Sequence, residues 1–196
     1  MIYCNCMQAL RSAINAVLPL PEEEWEALAP CWQPVSHKRK TVLTAAGETE
    51  RYVYFVLDGV QRAFCIAENQ REATLVFSYT GSFSGIIDSF FLQQPSRYYL
   101  ETLTQSSLLR IGYNDMHRLM QQYPQIMAWV QRSTMLALAG VMERHIEMLT
   151  LNAEEKFRSL LARSPHVLQL IPHKYLASYL GLDPATFSRL LGGIRL

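Results

Sequence analysis

The stretch from Cys31 to Tyr113 constrains the fold more than any other part of the chain. It consists of short runs rich in Val, Tyr, Phe, Thr and Ile, separated by Gly, Asn, Pro and Ser at fairly even intervals, which is typical of an all-β segment. So many short antiparallel strands in succession indicate a jelly roll or another small barrel. Such a barrel hides its strand edges and leaves an interior that can hold one small ligand.

Two hairpins are predicted within this stretch. Asp58-Gly59 separates two apolar runs, and because this dipeptide favours a tight type I′ turn, the two runs are expected to pair. A second hairpin is expected to turn around residues 68–70. Two further strands, 98–103 and 107–111, complete the predicted set.

Helical patterns lie on both sides of the β segment. Before it, apolar residues from Leu10 to Leu18 have helical spacing, and a second short helix is expected after Pro21. After it, a long helix is predicted over residues 125–149, and its middle, 135–142, is apolar on every face.

A helix that is apolar all round must be covered on both sides. We therefore expect residues 125–149 to form a symmetric dimer seam, with burial inside one large monomer as the alternative. Arg132 and Arg144 are expected on the solvated faces of this helix.

Charge is unevenly distributed along the chain. The total of 18 Lys and Arg against 17 Asp and Glu gives a net charge of +1, which provides no strong general attraction to nucleic acid or anionic membranes. Residues 152–196 nevertheless hold six basic and three acidic side chains. No apolar run approaches the roughly 18 to 20 residues that a membrane span needs, and no secretory leader opens the chain, so we expect a cytoplasmic protein with no membrane partner.

The basic C-terminal segment carries the most specific motif. A helix-turn-helix needs a small residue where its helices cross, a glycine in the turn and apolar residues at fixed offsets. Ala177 is the small residue, Gly181 lies four positions later and Phe187 lies ten positions later. Asp183-Pro184 supplies a helix start between them. The intervening core positions hold Leu176, Leu180, Leu182 and Leu190.

The second helix of such a motif lies in the major groove of DNA, with its N-terminal residues facing base edges. The exposed polar positions there are Thr186, Ser188 and Arg189. Arg189 is the best candidate for a bidentate contact to guanine. His173, Lys174 and Arg195 are expected to meet phosphates, which position a protein without reading sequence. A helical hairpin used only for packing is the alternative.

The order of entry helices, β-roll, long helix and C-terminal helix-turn-helix resembles the Crp/Fnr family of bacterial transcription regulators, from about residue 10 to the end. Two parts carry the resemblance. Residues 80–91 with 95–98 resemble the phosphate-binding cassette region of that family, and residues 171–182 with 186–190 resemble its DNA-binding element.

The resemblance implies an α+β fold in three parts. Residues 1–122 are expected to form a cyclic-nucleotide-binding-like sensor domain built as a double-stranded β-helix, or jelly roll. Residues 123–150 are expected to form a dimerisation helix, and residues 151–196 a helix-turn-helix domain. The β-hairpin wing of that last domain is expected to be short or missing. The resemblance also implies a homodimeric transcription regulator whose partners are double-stranded DNA, a second copy of the chain and RNA polymerase.

The cassette departs from the pattern of the family's cyclic-nucleotide binders, which use a Gly-Glu-Leu-Gly loop followed by an Arg-Ser or Arg-Thr pair. Gly85 matches the first glycine, but Ile86 stands at the glutamate and Asp88 at the second glycine. Arg97 matches the arginine only with a one-residue shift, and Tyr98 follows it. Because isoleucine cannot accept a ribose hydroxyl bond and aspartate repels phosphate, we expect no cyclic AMP and no cofactor.

A different, anionic small molecule remains the candidate effector. The candidate ligand-binding residues are Gly85, Ile86, Ile87, Ser96, Arg97 and Tyr98. For Arg97, a surface or interdomain salt bridge is the alternative.

Two other classes of protein are the alternatives to a DNA-binding regulator. An enzyme is not expected, because the five histidines have no metal-ligand spacing, the four cysteines form no CxxC pair, and no Gly-x-Ser-x-Gly or Walker loop is present. The second alternative is a β-roll sensor or scaffold protein that binds a small ligand without functional DNA binding. It is favoured by Pro184 and Ala185, which stand where the family's recognition helix has arginine and glutamate.

Overall fold

The computed structural model describes residues 2–193, in which helices precede and follow a β-roll. The α+β architecture predicted from the sequence is therefore confirmed. The strands are β1 (Gln33–His37), β2 (Val42–Thr44), β3 (Tyr52–Asp58), β4 (Val60–Ile66), β5 (Glu72–Tyr79), β6 (Phe83–Ser84), β7 (Tyr99–Thr102) and β8 (Ser106–Gly112).

The helices frame these strands. Before the roll lie α1 (Ile2–Val17), α2 (Glu22–Leu28) and a 3₁₀ turn (Ala29–Cys31), and α3 (Ile87–Leu92) is inserted between β6 and β7. After the roll come α4 (Tyr113–Gln122), α5 (Pro124–Thr150), α6 (Ala153–Arg163), α7 (Val167–Leu170), α8 (His173–Leu180) and α9 (Pro184–Gly193).

The strands form two four-stranded sheets, with the orders β1-β8-β3-β6 and β2-β7-β4-β5. Because successive side chains of a strand point to opposite faces, β3 contributes to two cores. Tyr54 and Val56 pack with Leu100 and Leu108 inside the roll, whereas Phe55 packs in the core that α1, α2, α4 and the start of α5 share with the first sheet.

The prediction that Asp58-Gly59 forms a hairpin turn is wrong. The two strands on either side, β3 and β4, lie in different sheets, so the dipeptide turns a corner of the roll instead of pairing its neighbours. Gly59 has φ +99°, and a Cβ there would lie 2.5 Å from the hydroxyl of Ser106. The glycine is therefore required by a close approach of backbones. The second predicted hairpin, around residues 68–70, is confirmed by the adjacent strands β4 and β5.

The long helix α5 is confirmed over Pro124–Thr150, close to its predicted bounds. Its first turns are buried, and the carboxylate of Glu24 on α2 accepts hydrogen bonds from the backbone N–H groups of Gln125 (3.3 Å) and Ile126 (2.9 Å). This carboxylate satisfies two N–H groups that a helix start leaves without partners. The acidic side chain thereby fixes where α5 begins.

From residue 135 onward α5 exposes large apolar side chains. On one face, six of them are between 51% and 73% exposed, and we call this set the apolar stripe. Its members are Met135, Leu138, Val141, Met142, Ile146 and Leu149. Nothing on the described chain covers the stripe, which is the pattern expected of a helix whose second side meets a partner.

Arg144 does not lie on a solvated face, contrary to prediction. Its side chain is only 15% exposed, its guanidinium carbon lies 3.9 Å from the ring centroid of Tyr179, and it donates a hydrogen bond to the Tyr179 carbonyl. Burial lowers the pKa of this arginine. Arg144 can be buried because its long stem packs along an aromatic ring while its charge remains paired with a carbonyl oxygen.

The described chain forms two compact units. The first unit holds the chain up to Ala63 together with Phe77–Ala137. The second holds Phe64–Val76 together with the chain from Leu138 onward. Strands β4 and β5 and helix α5 each run from one unit into the other.

Candidate nucleic-acid interface and ligand site

Helices α8 and α9 are joined by a tight turn at Gly181. This glycine has φ +67°, its N–H donates to the carbonyl of Ser178 at 3.1 Å, and the N–H of Leu182 donates to the carbonyl of Ala177 at 2.9 Å. Ala177 is completely enclosed between the helices. The spacing read from the sequence thus produces a helix-turn-helix, because a larger side chain at Ala177 or a non-glycine at Gly181 opposes the crossing.

Asp183 caps the start of α9. Its carboxylate accepts hydrogen bonds from the backbone N–H of Thr186 (2.9 Å) and from the Thr186 hydroxyl (2.6 Å), and these bonds lower the pKa of the carboxyl. The hydroxyl of Thr186 is therefore already engaged within the protein. Ser188 and Arg189, two and three positions after Thr186, are exposed.

Aromatic side chains hold the two helices together. Phe187 of α9 lies edge-on against Phe157 of α6, with 5.2 Å between ring centroids, and the ring of His173 lies 5.6 Å from Phe187. His173 therefore starts α8 close to the base of α9, and the neighbouring Lys174 is exposed with its ammonium 4.7 Å from the Tyr175 ring centroid. Arg195, also predicted to meet DNA, lies outside the described residues.

Replacing Gly181 with alanine is expected to destabilise the second unit by about 1–2 kcal/mol, since alanine resists a left-handed backbone conformation. The added methyl group would also lie 2.7 Å from the Cε atom of Met148, which must shift. Urea unfolding followed by circular dichroism measures the loss. Gly192→Ala is the matched control, because nothing lies within 4 Å of its Cβ position and helix propensity favours alanine. Equal losses in the two variants would contradict this account of the turn.

The hairpin between β4 and β5 is bonded to α8 within the second unit. The hydroxyl of Ser178 donates to the carbonyl of Glu72 at 2.9 Å and accepts from the backbone N–H of Thr74 at 3.0 Å. A strand edge is thus closed by a side chain in place of another strand. No local pattern predicts this contact, since the partners are about a hundred residues apart in the chain.

The predicted cassette residues fall into separate environments. Ile86 is buried inside the roll, whereas Ile87 begins α3 and packs against the outer core. Gly85 has φ +142°, and a Cβ there would lie 3.3 Å from the Tyr52 carbonyl. Ser96 is buried, with its hydroxyl bonded to the backbone of Tyr98 (2.8 and 2.9 Å), so it shapes the loop.

Arg97 is exposed and forms no hydrogen bond or ion pair within residues 2–193. It is the one charged residue among the six candidate ligand-binding residues, of which Ser96 and Tyr98 bond to each other. The structure therefore places these six residues near one loop. It does not bring several charged groups of that loop together into an anion site.

Glu50 is a functional candidate that the sequence analysis missed. It is only 1% exposed, and its carboxylate accepts from the Thr44 hydroxyl (2.8 Å) and from the N–H groups of Arg51 (3.0 Å), Tyr52 (3.2 Å) and Ile86 (3.3 Å). An internal carboxylate thus lies at the backbone of the cassette loop. Its position in a polar Gly-Glu-Thr-Glu-Arg loop gave no sign of burial.

Burial raises the pKa of Glu50 above its ordinary value, although the four hydrogen bonds oppose that shift. The wild type is therefore expected to lose stability relative to Glu50→Gln as pH rises. The difference between their free energies of unfolding, wild type minus variant, falls between the ordinary carboxyl pKa and the raised one. For a single group the limiting slope is about 1.4 kcal/mol per pH unit. Urea unfolding of both proteins between about pH 4 and pH 8 measures it. A difference that grows with pH would mean that the hydrogen bonds outweigh burial.

A cavity of about 510 Å³, open on one side, lies against strands of the roll in the first unit. Its walls include His37, Glu50, Tyr52, Tyr54 and Arg110. None of the six predicted ligand-binding residues lines it. His37, Tyr52, Tyr54 and Arg110 come from β1, β3 and β8, which pair side by side in the first sheet although they are far apart in sequence. The other wall residues lie on β2 and in the segment between β2 and β3.

Metal-binding and membrane-spanning features are both absent from the described chain. Among residues 2–193, no group of three or more His, Cys, Asp and Glu side chains is arranged to hold a metal ion. No helix of that range has the length and apolar character that crossing a membrane requires.

Residues 34–123 match the sequence profile of the family described as "Cyclic nucleotide-binding domain". No curated protein matches the chain at a significant level. Among solved structures, FixK2 from Bradyrhizobium japonicum superimposes with a TM-score of 0.74 at 16% sequence identity, over 82% of this chain and 83% of that one.

Two further structures cover even more of the chain. The c-di-GMP responsive global regulator CLP from Xanthomonas campestris has a TM-score of 0.66 at 18% identity, over 88% of this chain and 90% of that one. The catabolite activator protein from Thermus thermophilus has a TM-score of 0.58 at 20% identity, over 94% and 90%. At these identities the similarity establishes the fold alone.

Proposed function

We propose that this chain, which carries a cyclic nucleotide-binding domain at residues 34–123, is a homodimeric regulator with the fold of Crp/Fnr-type transcription regulators. In this proposal it binds double-stranded DNA through α9. The observation that carries the proposal is the helix-turn-helix at Gly181, whose second helix presents an exposed arginine. The fold itself confirms the resemblance inferred from the sequence.

Arg189 is assigned the main role in reading the DNA sequence. Its guanidinium is exposed on α9, where a bidentate contact to guanine is the commonest specific interaction in the major groove. Ser188 supports it, whereas Thr186 contributes less because its hydroxyl is held by Asp183. His173 and Lys174 contact phosphates at the start of α8.

The second copy of the chain is assigned to the apolar stripe of α5. Six large apolar side chains on one helix face, each more than half exposed, are rarely left in water by a monomeric protein. A symmetric pairing of two such helices buries both stripes and holds two α9 helices at a fixed spacing. Half-sites in a near-palindromic operator then lie about 34–36 Å apart. RNA polymerase is the further partner such a regulator would engage.

Cyclic AMP fits the roll poorly. The carboxylate of Glu50 already accepts the Ile86 N–H, and Asp88 stands in the first turn of α3, so two acidic groups oppose a phosphate at this loop. Arg97 is exposed and Ile86 is apolar. We therefore assign regulation to a different ligand or partner state, which shifts the equilibrium between arrangements of the long helices.

The proposal is tested by binding the full-length protein to a pool of random-centred DNA duplexes. Selections at about 50 mM and about 200 mM salt, each with and without cyclic AMP, are expected to recover a two-fold symmetric motif that does not depend on the nucleotide. Affinity is expected to fall about tenfold or more between the two salt concentrations, because phosphate contacts release counterions.

Each other outcome has a distinct meaning. A motif recovered only with cyclic AMP would show that the roll accepts the nucleotide despite Glu50 and Asp88. Absence of binding in all four conditions would overturn the DNA-binding proposal and favour a β-roll sensor or scaffold protein.

A further inference from the structure

We infer that the cavity of the roll binds a small organic monoanion with a planar apolar group, such as an aromatic carboxylate, through Arg110. This ligand site shares no residue with the cassette positions matched to the cyclic-nucleotide binders. It is independent of DNA binding by α9, since every residue that forms it belongs to the first unit.

Arg110 supplies the charge. It is half-buried on β8, its guanidinium carbon lies 4.3 Å from the ring centroid of Tyr52, and its Nε is buried without a hydrogen-bond partner. No carboxylate of the described chain lies within ion-pair distance of it. Because no acidic side chain of the described chain pairs with this half-buried guanidinium, an anion that reaches it gains a strong, charge-assisted hydrogen bond.

His37 provides a second polar group on the same wall. Its Nε2 is buried and has no hydrogen-bond partner. Burial lowers the pKa of His37, and the charge of Arg110 lowers it further, so the ring is neutral at physiological pH. A neutral imidazole adds a hydrogen bond to a ligand without adding charge.

The acidic side chains of the cavity are already occupied. The carboxylate of Glu50 accepts four internal hydrogen bonds, and Glu48 accepts from the Ala45 N–H at 3.0 Å. Neither is therefore available to neutralise Arg110. Because Glu50 repels a second negative charge, the cavity is matched to a monoanion, and a dianionic phosphate is disfavoured.

The remaining walls favour a planar apolar body. Tyr52 and Tyr54 lie with their ring centroids 6.1 Å apart, and Val42 and Leu43 add apolar surface. Burial raises the pKa of Tyr54, so its phenol stays neutral. A volume of about 510 Å³ lies within the range of small-molecule sites. The exposed lining of this cavity is more polar than apolar, so the two tyrosine rings provide the main contact for the planar group.

Benzoate is the probe for this site. Isothermal titration of the full-length protein, without DNA, is expected to give a Kd on the order of 1 mM. Arg110→Met is expected to weaken binding at least about tenfold. Arg97→Met removes an exposed arginine outside the cavity and is expected to bind as the wild type does. Benzamide, which has the same shape without the charge, is expected to bind at least tenfold more weakly than benzoate.

The controls keep the result interpretable. Circular dichroism verifies that Arg110→Met is folded, and Arg110→Gln, which keeps a polar side chain, is expected to show the same loss. Equal binding of benzoate and benzamide would overturn the charge assignment. No binding of benzoate at ten times the expected Kd, or loss of binding in Arg97→Met with retention in Arg110→Met, would overturn the site.

Discussion

Placing glutamates at Leu138 and Met142 is expected to convert the protein from a dimer to a monomer. The two side chains lie four residues apart on the apolar stripe of α5 and are each about half exposed. In a symmetric interface every introduced carboxylate faces apolar surface or its own copy, and an unpaired buried charge costs several kcal/mol. The dimer dissociation constant should therefore rise by at least about 100-fold.

Analytical ultracentrifugation over a range of concentrations measures this change, and DNA binding reports its consequence. A monomer engages one half-site at a time and loses the gain from simultaneous binding of both, so operator affinity should fall by about 100-fold or more. Leu136→Glu is the matched control, because residue 136 lies roughly 160° around the helix from residue 138. A double variant that sediments as the wild type does would show that the stripe is not the dimer interface.

Replacing Arg189 with alanine is expected to abolish specific DNA binding while leaving the dimer and the fold intact. A bidentate contact to guanine contributes about 1–3 kcal/mol, and a dimer loses it twice, so specific affinity should fall by at least about 30-fold. Because the side chain is exposed, its loss leaves no cavity. Competition between the selected motif and a scrambled duplex separates specific from general binding.

Arg158→Ala provides the control for charge alone. Arg158 is an exposed arginine of α6 that forms an ion pair with Glu154 at 2.6 Å, and its removal takes away the same formal charge from the same unit. This variant is expected to retain motif preference. If Arg189→Ala selects the same motif as the wild type, α9 does not read sequence through this residue.

The helix-turn-helix could be predicted from the sequence because its determinants are local. The turn at Gly181, the small residue Ala177 and the start of α9 at Asp183 all lie within seven positions, and each acts on its neighbours through backbone conformation. The same holds for Asn152, which resembles a capping residue in the sequence and accepts from the N–H groups of Glu154 and Glu155.

The path of the chain through the sheets could not be predicted in this way. Asp58-Gly59 has the local chemistry of a hairpin, yet β3 pairs with β8 and β4 with β7, since burial of both strand faces outweighs turn preference. The burial of Arg144 could not be predicted either. The sequence around it predicts an exposed position, because it does not reveal contact with an aromatic ring 35 positions away.

The ligand site illustrates the same limit. Arg110 and Tyr54 are direct cross-strand neighbours of β8 and β3, but they are separated by more than fifty positions in the chain. On the other side of β8, Arg110 is paired with Gln33 of β1, and His37 lies four positions further along β1, where it also lines the cavity. The sequence predicts an anion site at Arg97 because that residue lies in a recognisable loop. Arg110, which is half-buried, lies in an apolar strand that carries no such motif.

The bond between Ser178 and the β4–β5 hairpin limits how this chain can be recombined with others of the same fold. The compact unit that contains α8 and α9 also contains Phe64–Val76, a segment encoded within the roll. A chimaera that joins residues 138–193 to a foreign sensor would leave Ser178 without the carbonyl of Glu72 and the N–H of Thr74. Swapping the DNA specificity of such a protein therefore requires either grafting both segments or exchanging only the exposed face of α9.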